Sequence, residues 1–397
     1  MQIRFYFPVL CLVALATFLL SACTSSKLRV GNELSLSQTQ LLDDEVFPEY
    51  HLYQIESTNE IFFLDESARI FVDTAIAKGR TEKEQVEQLI GAIFARTDLD
   101  LVYQEAANTT ADTTFTSAAA NCLSLSIMTY AMAEYAGFDS DFQLVHIPEY
   151  WTRRDGYSLL NGHINLKIVP RANAGITQFF ENRMVIDFDT EISSKRFPAS
   201  KVTKNYVVAM FYNNKGTDAL LERNYTKAYR YFKAAIQSNE YYEGSWVNLG
   251  YLYRLMGKVE LAEQSYLRAI ELDDNHLTAW ENLAILYRKI GDVKSANSIQ
   301  SYIKSKRQSN PFYHLMLGEI ERDKGDYTAS IKHFQEAIRL DENQHQFYFS
   351  LATSFFEMGD LDSAKRYMLL AKRKAPASQV AETYSSKVSA IRAIQAK

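Results

Sequence analysis

The sequence contains few cysteines and no concentration of positive charge. It has three cysteines, a formal net charge of −5 and no run of basic residues, so nucleic acid is not expected as a partner. It also lacks a P-loop, a nucleotide-binding glycine pattern and a cluster of metal ligands, so no cofactor or metal is expected. After the N-terminus no second apolar stretch is long enough to span a membrane, which predicts a soluble remainder.

The N-terminal segment has the pattern of an export signal. Residues 1–22 contain Arg4 and an almost unbroken apolar stretch, with small residues before Cys23. The stretch is short for a membrane span, which needs about 20 apolar residues. It resembles the signal of bacterial lipoproteins, in which the cysteine is lipidated before cleavage. The resemblance implies a signal peptide over 1–22 and lipidation of Cys23. Because Thr24 rather than Asp follows, it also implies anchoring at the periplasmic face of the outer membrane.

Polar residues over 23–45 predict a tether, and residues 46–205 predict a folded domain. Its predicted helices are Ile61–Ala77, a helix opened by the capping-box pattern Thr81–Glu84, and Cys122–Ala136, which ends at Gly137. Its predicted strands are Phe142–Ile147, His163–Val169 and Met184–Phe188. Residues 106–120 are rich in Ala, Thr and Ser and are expected to form a loop. Helices followed by strands indicate an α+β domain.

The sequence from residue 206 onward repeats with a period of 34 residues. Large side chains recur at this step at Trp246, Trp280, His314 and Tyr348. Small residues follow four positions later, and glycines that mark a turn follow eleven positions later. The pattern resembles the tetratricopeptide repeat, a helix pair that stacks into a solenoid. The resemblance implies five repeats over 206–376, an all-α solenoid closed by a capping helix over 377–397, and a groove that binds a protein or peptide.

Cys122 is the thiol that the mature protein is expected to retain, because Cys11 lies in the signal and Cys23 is the expected lipidation site. Exported proteins usually pair their cysteines or avoid them, so an unpaired thiol in that compartment indicates a nucleophile. It follows Asn121 at the start of a predicted helix. A helix N-terminus and a nearby imidazolium both favour the reactive thiolate form. The alternative is a small core cysteine at an apolar helix start.

His163 and Asp187 are the candidate partners of this thiol. His163 begins a predicted strand on its more polar face, and a carboxylate on its second ring nitrogen would fix its orientation. Asp187 lies just inside another predicted strand, and Asp189, two residues on, would point to the same face. His146 is the alternative histidine, but its apolar neighbours indicate a packed side chain.

Three short motifs carry a further resemblance. They are Asn121-Cys122-Leu123-Ser124, Gly162-His163-Ile164-Asn165-Leu166 and Ile186-Asp187. Their order resembles the transglutaminase-like superfamily of papain-related cysteine folds. There a cysteine begins a helix, a histidine begins the next catalytic strand, and an aspartate lies at the strand after it. The resemblance covers residues 46–205 and implies a catalytic triad of Cys122, His163 and Asp187. Ala118–Ala120 replaces the common glycine-rich lead-in, so no side-chain oxyanion donor is assigned.

Two functions follow from these patterns. The first is an envelope-anchored cysteine acyl-transfer enzyme that attacks a peptide or glutamine-type amide, with a solenoid that binds a protein or peptide partner. Hydrolysis is favoured over transfer, because water is abundant and nothing marks an amine site. Trp151, with Arg153 and Arg154, lies in an expected polar loop that could gate the cleft. The second function is a scaffold, in which the solenoid binds a partner and the first domain is inactive.

Overall fold

The structure is a computed structural model that describes residues 34–100, 102–103, 107–117, 119–154, 157–169, 184–188, 197–375 and 378–395. The predicted signal peptide over 1–22 and Cys23 lie outside these residues, as does Asp189. No helix in the described part of the chain combines the length and the apolar character needed to cross a membrane.

The first part of the chain is built from helices and short strands. Its helices are α1 (Gln38–Leu41), α2 (Thr58–Ile61), α3 (Glu66–Ile76), α4 (Glu82–Asp100), α5 (Ala111–Thr116) and α6 (Cys122–Tyr135). Its strands are β1 (Val102–Tyr103), β2 (Ala119–Ala120), β3 (Asp139–Val145), β4 (Trp151–Arg154), β5 (Tyr157–Leu160), β6 (His163–Val169), β7 (Met184–Ile186) and β8 (Ala199–Val202). This part therefore has the α+β character that the sequence predicts.

One antiparallel sheet organises this part, with the strand order β7–β6–β3–β8. In its central pair, Val145 lies opposite His163 and Asp139 lies opposite Val169. Alternate residues of β6 are buried in the core that α6 also joins. The predicted strand over His163–Val169 is confirmed, and so is the helix that starts at Cys122. That helix ends just before Gly137, whose φ of +81° suits glycine.

Three local predictions were wrong. The helix expected over Ile61–Ala77 begins only at Glu66, because Asp65 caps it and its carboxylate accepts a first-turn N–H at 2.7 Å, whereas Ile61 ends the short helix α2. The loop expected over 106–120 contains α5, whose start Thr110 caps. The polar loop expected around Trp151 is the antiparallel hairpin β4–β5. Each error concerns a short element whose boundary depends on a single cap or on pairing at a distance.

The second part of the chain is a stack of helix pairs. They are α7 (Lys204–Leu221) with α8 (Tyr225–Ser238), α9 (Glu243–Leu255) with α10 (Val259–Leu272), α11 (Leu277–Lys289) with α12 (Val293–Arg307), α13 (Pro311–Asp323) with α14 (Tyr327–Leu340), and α15 (His345–Glu357) with α16 (Leu361–Lys374). A last helix, α17 (Ser378–Gln395), packs on the final pair and buries Tyr384, Val388 and Ile391 there. The predicted all-α solenoid is confirmed.

Gly250 shows why three of the five repeats need glycine at the small-residue position, since Gly216 and Gly318 face an aromatic ring in the same way. A Cβ atom there would lie 2.7 Å from a ring carbon of Tyr266. The two repeats that have alanine at this register have Gln300 and Met368 in place of the ring. We expect Gly250→Ala to lower the free energy of unfolding by about 1–3 kcal/mol, because the closely packed ring must move. Urea unfolding of the full-length chain measures this. Gly91→Ala is the control, because its Cβ would have no neighbour within 4 Å; equal effects in both variants would contradict the prediction.

Helix α7 belongs to both parts of the molecule. Val207, Val208 and Phe211 are buried in the core of the first part. Ala219 and Leu220, further along the same helix, are buried in the core of the solenoid. A limit drawn between residues 205 and 206 therefore separates the sequence patterns but not the packing, and the two parts form one continuous structure through this helix.

The N-terminal strap, residues 34–47, packs along the solenoid. The side-chain oxygen of Gln264 accepts hydrogen bonds from the backbone N–H groups of Ser35 at 2.7 Å and Leu36 at 3.1 Å. The hydroxyl of Tyr253 donates to the carbonyl of Leu41 at 2.6 Å. The predicted tether over 23–45 was therefore wrong from residue 34 onward. Its polar composition hid buried apolar anchors that only distant residues could reveal.

The strap is also held by charge and by aromatic stacking. The carboxylate of Asp44 accepts hydrogen bonds from Lys233 at 2.6 Å and from Tyr229 at 2.7 Å. Burial opposes ionisation of this carboxyl, but the hydrogen bonds and the charge of Lys233 lower its pKa on balance. Phe47 stacks on Tyr229 with ring centroids 4.5 Å apart. The strap thus joins α8, α9 and α10 from one side.

Candidate functional site

Cys122 is the first residue of α6. The side chain of Asn121 caps this helix and accepts a hydrogen bond from the N–H of Ser124 at 2.8 Å. The thiol is 8% exposed and makes no disulfide. A helix N-terminus places partial positive charge beside the sulfur, which favours the thiolate over the thiol. The local sequence thus holds Cys122 where a nucleophile would benefit from the helix.

His163 and Asp187 form a close pair. Nε2 of His163 lies 2.9 Å from both carboxylate oxygens of Asp187. His163 begins β6 and Asp187 follows β7, and these strands are neighbours in the sheet. The amide of Asn165 donates more weakly to the same carboxylate, at 3.4 Å. The sheet register therefore brings together two residues that are 24 positions apart.

His163 also interacts with Cys122. Asp187 holds Nε2, which leaves the buried Nδ1 as the ring nitrogen available to the sulfur. Burial alone lowers the pKa of His163, but hydrogen bonds to Asp187 and Cys122, together with their negative charge, raise it to about 10. The imidazole is therefore held as an imidazolium near neutral pH, between a carboxylate and a sulfur.

This ion pair predicts a pH dependence of stability. A histidine whose pKa is raised by folding stabilises the protein fully below its unfolded pKa, near 6.5. That contribution is lost as the pH rises towards the folded pKa of His163, about 10. We therefore expect the free energy of unfolding to fall between pH 7 and pH 10, by at least about 1 kcal/mol. Urea unfolding at stepped pH measures it, with His163→Asn as the reference; parallel curves for the two proteins would contradict the prediction.

A cavity of about 650 Å³ contains Cys122 and His163 on one wall. The first helices of the solenoid pairs form the facing wall, with Asn213, Asn248 and Asn282 among the lining residues. The amide of Asn248 donates to the side-chain oxygen of Asn213 at 2.9 Å. The cavity is thus shared between both parts of the molecule, and an extended peptide has amide groups available along one side.

A chain of polar contacts links the helix cap of Cys122 to the solenoid. The amide of Asn121 donates to the side-chain oxygen of Asn108 at 2.8 Å, and the amide of Asn108 donates to Asp218 at 2.7 Å. Asn214 also donates to Asn108, at 3.2 Å. Asp218 and Asn214 lie on α7, so the solenoid supports the residue that positions the thiol helix.

A second link closes the cavity on its other side. Nε and Nη2 of Arg307 bind the carboxylate of Glu149 at 2.7 Å and 3.0 Å, and Nη1 binds Glu281 at 2.7 Å. The guanidinium lies 4.9 Å from the ring centre of Trp151 and 5.8 Å from that of Tyr313. Burial by itself lowers the pKa of Arg307, but the two carboxylates raise it on balance. The hairpin that follows Glu149 is thereby fastened to α12 and α13.

The structure places the sequence-predicted residues as follows. Cys122, His163 and Asp187 come together. His146 is exposed and lies 3.0 Å from the hydroxyl of Ser200, so its expected packing was wrong. Trp151 lines the cavity from the hairpin rather than from a loop.

Sequence reasoning missed Asn108, Asp218, Glu149 and Arg307. None of them has a local pattern that distinguishes it from an ordinary surface residue. A buried arginine needs carboxylate partners, but burial of this arginine could not be read from the polar sequence around it. Their role depends on contacts between the two parts of the molecule, which only the folded structure shows.

Two family models of the tetratricopeptide repeat match residues 245–276 and 318–359. The C-terminal part of the chain therefore contains tetratricopeptide repeats. An uncharacterized protein of Methanocaldococcus jannaschii is 31% identical over 67 residues, which are 17% of this chain and 78% of that protein. The tetratricopeptide repeats indicate that this part interacts with other proteins or peptides.

The solved structures that are similar to this chain include the following two. A thermophilic tetratricopeptide-repeat protein of Thermus thermophilus is 18% identical, over 45% of this chain and 97% of its own, with a TM-score of 0.28. The pilF protein of Pseudomonas aeruginosa is 14% identical, over 49% of this chain and 92% of its own, with a TM-score of 0.27.

Proposed function

We propose that the protein is a cysteine acyl-transfer enzyme, anchored in the cell envelope through Cys23 at the periplasmic face of the outer membrane. Its first part would be a transglutaminase-like domain that uses Cys122, His163 and Asp187. The observation that carries the proposal is the 2.9 Å pairing of His163 Nε2 with both oxygens of Asp187, beside a thiol on the same cavity wall. A histidine–carboxylate pair can be purely structural, but this one lies beside a helix-start cysteine in a cavity, where perturbed titratable groups tend to be functional.

In the proposed mechanism the sulfur of Cys122 attacks the carbonyl carbon of a peptide or glutamine-type amide. The thiol proton resides on His163, which then donates it to the departing nitrogen, so the C–N bond breaks and a thioester remains. Water gives a proton to His163 and attacks the thioester, which releases the acid and restores the thiol. Asp187 holds the imidazole in position and stabilises its positive charge throughout.

The start of α6 would stabilise the oxyanion of each tetrahedral intermediate. Asn121 accepts two hydrogen bonds from this helix. Its side-chain oxygen accepts one from the N–H of Ser124 at 2.8 Å, and its backbone carbonyl accepts one from the N–H of Leu125 at 3.0 Å. The first-turn N–H groups before these belong to Cys122 and Leu123. They lie next to the carbon that the sulfur would attack, where backbone donors stabilise developing negative charge best.

Turnover of a simple ester tests the proposal. We expect the full-length protein in detergent to hydrolyse 4-nitrophenyl acetate through repeated acetylation of Cys122, detected as an added acetyl group by mass spectrometry of the peptide that contains it. Asp187→Asn should acetylate more slowly and release acetate more slowly. Acetylation no faster than that of a denatured sample, or a thioester that accumulates without turnover in both proteins, would contradict the enzyme proposal.

A scaffold is the second candidate, and the tetratricopeptide repeats favour it. In that case the cavity would hold a peptide without changing it. Incubation of a mixed peptide library with wild-type protein and with Cys122→Ala protein separates the two functions. Identical masses among the peptides recovered from both proteins support the scaffold, whereas shortened or deamidated peptides from the wild type alone support the enzyme.

A further inference from the structure

Arg254 is a positively charged side chain on the solenoid wall of the cavity. Its guanidinium lies 4.7 Å from the ring centre of Tyr251, and its Nη2 donates to the side-chain oxygen of Asn282 at 3.3 Å. Its Nε is buried and makes no hydrogen bond within the described part of the chain. Among the described lining residues it is the one lysine or arginine. The hydroxyl of Tyr266 also interacts with Arg254, so the charge of this guanidinium has only neutral polar partners among the described residues.

The acidic residues of the cavity do not neutralise Arg254. Glu149 and Glu281 both bind Arg307, at 2.7 Å in each case. Their charges are therefore shared with a guanidinium that is itself buried. A carboxylate engaged in this way is a poor partner for a second arginine, because it would have to leave the first one unpaired.

The other two acidic residues that line the cavity, Asp218 and Glu243, do not pair with Arg254 either. Asp218 accepts the amide of Asn108 at 2.7 Å. Glu243 begins α9, the helix that carries Arg254 eleven residues later, which is about 16 Å along the axis. No described carboxylate forms an ion pair with Arg254, and a half-buried guanidinium beside an aromatic ring binds a carboxylate well when one arrives.

We propose that Arg254 receives a carboxylate of the peptide substrate, so that the protein acts on amides close to a negatively charged group. This rests on the proposed function, because it assigns a substrate class to the same cavity. The carboxylate is either the C-terminal group of the peptide or an acidic side chain. Its bidentate binding by the guanidinium holds the peptide across the cavity from Cys122.

The position of Arg254 along α9 supports this arrangement. Asn248, six residues earlier, bonds with Thr217, the neighbour of Asp218, at 3.3 Å. Asp218 in turn connects through Asn108 to the start of the thiol helix. Arg254 therefore lies about 9 Å along α9 from Asn248, which contacts the part of α7 that supports the thiol helix.

Chloroacetyl peptides of graded length test the proposal. The compounds are chloroacetyl-glycine, chloroacetyl-alanine and chloroacetyl-peptides with two or three alanines, each as the free acid and as the carboxamide. The sulfur of Cys122 displaces chloride from each compound, and the labelling rate is measured by mass spectrometry of full-length protein in detergent. We expect the acid to label at least about tenfold faster than the amide at one or more lengths. That ratio should fall close to one in Arg254→Met.

Arg288→Met is the matched control. Arg288 occupies the same register one repeat later, does not line the cavity, and donates to Gln300 at 2.8 Å. Its replacement should leave the acid-to-amide ratio unchanged. A ratio near one at every length in the wild type, or an unchanged ratio in Arg254→Met, would overturn the proposal.

Two further comparisons separate the remaining outcomes. Tail-free chloroacetamide reports the reactivity of Cys122 alone, so a fast, His163-dependent rate with no acid preference leaves the enzyme proposal intact and removes only the role of Arg254. A slow rate of labelling by chloroacetamide, with a preserved preference for the acids, supports the role of Arg254 and contradicts the enzyme proposal. Chloroacetyl-alanyl-glutamate carboxamide, compared with its glutamine analogue, shows whether an acidic side chain replaces the C-terminal carboxylate at Arg254.

Discussion

Replacement of His163 by alanine should lower the rate at which iodoacetamide alkylates Cys122 at pH 6.5 by at least about 30-fold. The imidazolium is held by two contacts of 2.9 Å to Asp187 and interacts with the sulfur. Without it, the thiolate loses its positive neighbour and is left near the carboxylate of Asp187. The rate is followed by mass spectrometry of the peptide that contains Cys122, so that other cysteines do not contribute.

His146→Ala is the control for this experiment, because His146 is exposed and contacts Ser200 rather than the thiol. It should leave the rate unchanged. Asp187→Asn keeps the size of the side chain and removes its charge, so an intermediate loss is expected. Equal rates in the wild type and in His163→Ala would mean that the residues are adjacent but do not form a working pair.

The second large effect concerns the link between the two parts. Glu149→Ala should lower the free energy of unfolding by about 3 kcal/mol, because it leaves the buried Arg307 with Glu281 as its one carboxylate and only a weak contact to Thr278 at 3.4 Å. The side chain of Arg307 is 1% exposed, so in the intact protein its charge depends on the two carboxylates rather than on bulk water. Guanidinium unfolding of the full-length protein measures the loss. Faster proteolysis within the hairpin β4–β5 should accompany it.

An exposed ion pair provides the comparison. Lys324 and Glu321 lie 2.8 Å apart, but the lysine side chain is 60% exposed. Glu321→Ala should therefore change stability by less than about 0.5 kcal/mol. If Glu149→Ala costs no more than this, Arg307 is satisfied by water or by a rearranged hairpin, and the closed cavity is not held by this contact.

What the sequence predicted well depends on local periodicity. The 34-residue step places Trp246 and Trp280 at equivalent positions, and each indole donates to a backbone carbonyl six residues earlier, at 2.9 Å and 3.0 Å. Likewise, the apolar alternation in β6 and the helix start at Cys122 are short-range signals. They arise because burial on one face imposes a period that the sequence must follow.

What could not be predicted depends on contacts between distant residues. Glu149 and Arg307 are 158 positions apart, and Asn108 and Asp218 are 110 positions apart. Such polar pairs leave no periodic pattern in the sequence, and each of these residues is of a type that usually lies on a solvated surface. From the sequence, Asp187 could be preferred over Asp189 only weakly, because both would point to the same face. The structure places Asp187 beside His163. Asp189 lies outside the described residues.

The N-terminal strap also affects the order in which the chain can fold. The carbonyl of Leu41 bonds to Tyr253, which lies 212 positions later. At a synthesis rate of about 5–20 residues per second, Tyr253 follows roughly 10–40 s after Leu41. The strap therefore cannot pack on Tyr253 until the second helix pair exists, and its apolar anchors Leu41 and Phe47 are not fully covered before then. A binding protein that shields the emerging strap would have this whole interval in which to act.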